Sequence, residues 1–127
     1  MLDFARDTGL CDSSRQPRRY LWTDAFAVCN FLELYRQTGE ASFLQTACEL
    51  VAQVHRILGC YDQADPRSGW ISGLEPEEGA RHPTAGGLRI GKPLLERAPG
   101  QAMDERLEWE RDGQYFHYLT RWMQALT

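Results

Sequence analysis

No stretch of this 127-residue chain is long and apolar enough to span a bilayer. The start, MLDFARDTGL, places Asp3, Arg6 and Asp7 where a secretory leader needs an unbroken apolar run. A cytoplasmic protein without a membrane partner is expected. An excess of basic charge is missing too: the formal net charge is −4 and the pI about 5.3. A phosphate binder needs cations to displace counterions, so nucleic acid is not an expected partner. Cys11, Cys29, Cys48 and Cys60 contain no CxxC pair, which removes zinc-knuckle and thioredoxin-type sites. Two of them, Cys29 and Cys48, fall in helical patterns, where buried free thiols are expected. No HExxH and no GxSxG occurs, so neither a metal site nor acyl transfer has support, and no cofactor is expected.

What is present reads as one all-α domain over residues 1–127, with 43% hydrophobic residues to supply a core. Residues 2–8 before Gly9 look like the last turns of a helix. Residues 23–38, with Thr23 as N-cap, carry Ala25, Phe26, Val28, Phe31, Leu32, Leu34 and Tyr35 on nearly every face, which predicts a helix buried all round. Residues 41–58 are amphipathic: Phe43, Leu44, Ala47, Leu50, Val51, Val54 and Leu58 recur at three and four, with His55 expected at the surface. The short link through Gly39 predicts an antiparallel helical hairpin with the first helix inside.

Residues 60–107 show no helical period and predict a long loop, in which Trp70-Ile71 and Leu88-Arg89-Ile90 are candidates for a small β-hairpin. Asp112-Gly113 then opens a helix over 112–126, whose Tyr115, Phe116, Leu119, Trp122, Met123 and Leu126 share an apolar face. Trp122 is assigned to packing. Both ends are abrupt, so a fragment, or a subunit completed by association, is the expectation.

The stretches RRYLWTDAFAVCNFLELYRQTGE, GWISGLEPEEGARHPTAGGLRIGKP and LEWERDGQYFHYLTRWMQAL together resemble a family of uncharacterised bacterial proteins of the six-hairpin glycosidase-like, (α/α)6-toroid type. That resemblance implies a partial toroid, with about a third of the ring in this chain and the remainder, or a second copy, as its partner. It also implies a saccharide ligand, and a cavity among inner-helix ends and the loops entering them. Function still has to come from the site rather than the fold.

On that footing Trp22-Thr23-Asp24 and Glu108-Trp109-Glu110-Arg111-Asp112, both just ahead of inner helices, would face one pocket. Glycoside chemistry needs two carboxylates, one donating a proton and one activating water or attacking. Asp24 opposite Asp112, Glu110 or Glu108 is the candidate set, against a plain helix-capping role for Asp24 and Asp112. His117 is a candidate general acid or base, or else a helix-face histidine. Trp22, Trp70, Trp109 and Tyr115 suit sugar faces, although Trp70 and Trp109 fit equally as loop anchors. Gly86-Gly-Leu-Arg-Ile-Gly-Lys92 matches most of a phosphate-binding loop but has Pro93 where Ser or Thr is needed. It reads instead as a turn presenting Arg89 and Lys92 to an anionic sugar or to the acidic run Glu75, Glu77 and Glu78. His82 is a further candidate for substrate contact. Saccharide processing, by hydrolysis or epimerisation, stands first, and a non-catalytic helical module docking to another chain stands second.

Overall fold

The computed structural model describes residues 1–12, 14 and 16–127. Among these the architecture is all-α, with no strand: α1 (Leu2–Asp7), α2 (Leu21–Thr38), α3 (Ala41–Leu58), α4 (Pro76–Arg81), α5 (Glu105–Glu108) and α6 (Phe116–Leu126). No described helix is long and apolar enough to cross a membrane.

The α2–α3 hairpin forms as its pattern predicts. Gly39 ends α2 in the left-handed region (φ 72°), its N–H returning to the Tyr35 carbonyl, and α3 starts two residues later. Leu50, Val54 and Leu58 of α3 and Leu21, Val28 and Phe31 of α2 are essentially sealed from solvent. α2 is the central helix, packing against both α3 and α6. It is not buried all round. Phe26, Cys29, Leu32 and Tyr35 lie exposed along one side, because described neighbours cover only the face bearing Ala25, Val28 and Phe31. The expected burial of Cys29 and Cys48 fails for the same reason: both thiols point away from the hairpin seam and are exposed.

α2 begins earlier than expected. Tyr20, not Thr23, is the N-cap, and the Tyr20 N–H is accepted by Asp24 Oδ2 at 2.9 Å. α6 begins later, at Phe116, because Asp112 is held elsewhere. On α6 only part of the apolar face is buried, through Trp122 and Ala125, while Phe116, Met123 and Leu126 stay exposed. His55 is half-buried rather than at the surface. Its Nε2 accepts the Trp122 indole N–H at 3.0 Å, and burial holds the imidazole below its usual pKa. The neutral ring is the form that can accept that bond.

The segment expected to be a bare loop carries α4 and α5, and its two apolar pieces do not pair as a hairpin. Trp70 bridges to Cys60 instead. Leu88 and Ile90 are buried in the helical core. This second piece is a strap linking three distant elements. Its Arg89 N–H donates to Leu58 O at the end of α3, its Ile90 N–H to Gly113 O ahead of α6, and its Ile90 O accepts the first helical N–H of α2, at Leu21. Helix ends leave such groups without intrahelical partners, and the strap satisfies them.

Arg89 extends the same logic through its side chain. Nη2 donates to Ile57 O, Nε to Cys60 O and Nη1 to Asp112 Oδ2 at 2.8 Å. Asp112 Oδ1 accepts the N–H groups of Gly91 and Gly113. Asp112 is thus a buried loop staple and not a helix cap. Gly91 is required where the strap crosses: φ is +91° and a Cβ would come 2.1 Å from the Arg19 carbonyl oxygen.

Removing the Asp112 carboxylate would leave Arg89 and two backbone donors buried without their acceptor. Asp112→Ala is expected to lose about 3–5 kcal/mol of stability, read from urea denaturation, whereas Glu110→Ala, on an exposed side chain, should stay within about 0.5 kcal/mol. Similar small losses for both would contradict the staple.

Candidate functional site

Tyr20, at the entry to α2, lies beside the first turn of α6, which carries His117 and Tyr118. The two phenol oxygens of Tyr20 and Tyr118 are 2.7 Å apart. Trp22, in the first turn of α2, packs its ring 5.3 Å from Tyr118 and 6.1 Å from His117. Tyr115 sits 5.8 Å from Tyr118, and His117 lies edge-on to Tyr118 at 4.7 Å. Burial and the Tyr20 contact push the Tyr118 hydroxyl above its usual pKa.

Against this aromatic wall opens a cleft of about 300 Å³, lined by Tyr20, Lys92, Glu108, Trp109, Arg111, Tyr115, His117 and Tyr118, with Ile90 at its floor. This is the lower end of the roughly 300–1,000 Å³ typical of small-molecule sites. Five expected residues come together here: Lys92, Glu108, Trp109, Tyr115 and His117. Lys92 Nζ stands 5.0 Å over the Tyr20 ring. Glu108 Oε1 is 3.6 Å from Arg111 Nε and 3.7 Å from Arg97 Nε. Trp109 is 80% exposed at the rim, so its ring is free on the solvent side.

The other expected residues lie elsewhere. Asp24 is 1% exposed, and its carboxylate faces the Tyr20 N–H and the buried Arg19, 3.7 Å away. Burial raises its pKa to about 6, with Arg19 opposing, and the same burial lowers Arg19. Desolvation therefore outweighs the attraction on both sides of this ion pair. Asp112 and Arg89 are committed to each other and to backbone, and neither lines the cleft beside Tyr20. The Glu110 side chain is exposed, while its carbonyl accepts the Leu94 N–H. Trp70 is a loop anchor, its indole N–H donating to Pro76 O; a Cβ at Gly79 would lie 2.1 Å from the ring. His82 is exposed at the end of α4, near Glu78, which also pairs with Arg81. Trp22 reaches the site through His117 and Tyr118, and Arg121 covers its ring at 5.4 Å.

Sequence reasoning missed Tyr20, Tyr118 and Arg111. Tyr118 was legible as the residue one turn after Tyr115, sharing its side of the helix. Tyr20 and Arg111 depend on the strap, which no periodicity reveals. Among the described residues no cluster of His, Cys, Asp or Glu could hold a metal ion. Compared with known protein families, curated proteins and solved structures, this chain finds no match.

The Asp24 carboxyl supplies a pH signature. Its folded pKa of about 6 lies above the ordinary 3.8, so its contribution is full below about pH 4 and is lost as pH rises through 6. The stability of the native sequence minus that of Asp24→Asn should therefore rise by about 2 kcal/mol from pH 7 to pH 4, measured by denaturant titration at several pH values. A difference independent of pH would mean that the carboxyl is not desolvated.

Proposed function

We propose that this chain binds and processes a saccharide in the cleft between Tyr20 and the first turn of α6, as the resemblance to six-hairpin glycosidase-like proteins implies. The observation that carries the reading is one cleft combining aromatic rings (Trp109, Tyr115 and Tyr118) with a carboxylate, Glu108, and an imidazole, His117. Flat rings cover the apolar faces of a pyranose, while the phenol hydroxyls and Lys92 reach its polar edge.

Asp24 and Asp112 are withdrawn into the fold, so proton handling falls to Glu108 and His117. Glu108, beside Arg97 and Arg111, is the base that activates water or takes a ring proton; His117 is the partner acid. In this reading the hairpin and α6 are part of an (α/α)6 ring, and the exposed apolar side of α2 is where further helices of the ring would pack.

Binding is tested with neutral and charged oligosaccharides by titration calorimetry on the whole chain. Trp109→Ala should weaken binding at least about tenfold with stability unchanged, since its ring is mostly in solvent. For any saccharide turned over, Glu108→Gln should lower kcat about 100-fold or more. Unchanged affinity in Trp109→Ala would remove the sugar platform.

A second reading, a non-catalytic helical module that associates with another chain, is favoured by one observation: Phe116, Met123 and Leu126 form an exposed apolar row on α6, with Phe116 82% exposed. If that row is an interface, Phe116→Glu with Met123→Glu should shift an associated species to monomer in native mass spectrometry while leaving the thermal midpoint in place.

A further inference from the structure

The cleft carries a polar asymmetry that a neutral sugar does not use. Arg111 is 8% exposed, and its Nε meets no hydrogen-bond acceptor; Glu108 Oε1 is 3.6 Å off and equally unpartnered. Its one hydrogen bond to a described acceptor is from Nη1 to Leu95 O at 3.1 Å. That Nε is sealed from solvent and faces Glu108 alone, so what Arg111 brings to the cleft it lines is a guanidinium charge whose neutralisation by Glu108 is loose, with no hydrogen bond between them.

Lys92 stands in the same cleft. Among the described residues it forms no ion pair; its ammonium rests over the Tyr20 ring. The third element is the start of α6, an 11-residue helix with no capping side chain and no acidic residue in its first turn. Its first-turn residues His117 and Tyr118 line the cleft together with Tyr115, the N-cap. Helix starts of this kind present unsatisfied N–H groups and a partial positive charge. Two cations and a bare helix start share the lining of this cleft with one carboxylate, Glu108, in a chain whose overall charge is negative. The local excess is positive.

We infer that the cleft selects saccharides bearing an oxyanion substituent, a ring carboxylate or a phosphate ester, held between Lys92, Arg111 and the start of α6. This rests on the saccharide reading above and names its substrate class. The aromatic rings take the sugar face while the anion sits at the cationic end, a division of labour common where orientation has to be fixed.

The test is calorimetric titration of the whole chain at low and at physiological salt, using four ligand sets: uronic-acid oligosaccharides, sugar monophosphates, their neutral counterparts, and inorganic phosphate. Proteins are the native sequence, Lys92→Met, which keeps the aliphatic stem on Tyr20, Lys92→Arg as the charge-retaining control, and Arg111→Lys. A charged sugar should bind at least about tenfold tighter than its neutral counterpart, with the preference reduced by salt, lost in Lys92→Met and restored in Lys92→Arg. Which charged set prevails separates carboxylate from phosphate.

Equal affinity for neutral and charged sugars would overturn the inference and leave the saccharide reading standing. Binding of inorganic phosphate without any sugar, or no binding at all, would overturn both. Lys92→Met carries the decision should Arg111→Lys fail to fold.

Discussion

The ion pair between Arg89 and Asp112 is the constraint on which this fold turns. One guanidinium closes the end of α3, and one carboxylate closes the turn ahead of α6 by accepting from Gly91 and Gly113. A paired buried charge contributes because its remaining donors and acceptors are also satisfied. Here they are met by backbone at the end of α3 and in the segments that follow α3 and precede α6. The pair thereby converts a stretch with little periodic pattern into a fixed strap through the core.

The cleft inherits its geometry from that strap. Lys92 follows Gly91 directly, Arg111 precedes Asp112, and Tyr115 comes three residues later, so residues on both sides of the cleft are tethered to one clamp. Leu94 runs beside Glu110 to Asp112 and holds the Glu108 side of the site against it. Loops carrying binding residues work when a rigid scaffold positions them. The scaffold in this case includes the loop's own buried residues, Leu88 and Ile90.

The α2–α3 hairpin was legible because period and a glycine stop agree, and the packing role of Trp122 was legible from its spacing with Leu119. The start of α6 was not: Asp112-Gly113 reads locally as a cap, yet Asp112 is taken by Arg89, a partner 23 residues away. Capping signals describe only what a side chain can do near its own backbone. The exposure of Cys29, Cys48 and Phe26 was misread since hydrophobic patterning reports which faces can be buried, while the neighbours present decide which are. Of the site, the residues at the approach to α6 were legible by type. Their meeting with Tyr20 was not, because it depends on a non-local path.

One consequence of the strap concerns the order of assembly. Residues near positions 21, 58, 90 and 113 are joined by a handful of backbone hydrogen bonds, so α2 lacks its N-terminal partner until the strap is in place. Distant closures of this kind slow folding more than they raise stability. On a ribosome, the helical hairpin would emerge early but wait, its ends still bare to water, for the strap to clear the exit tunnel.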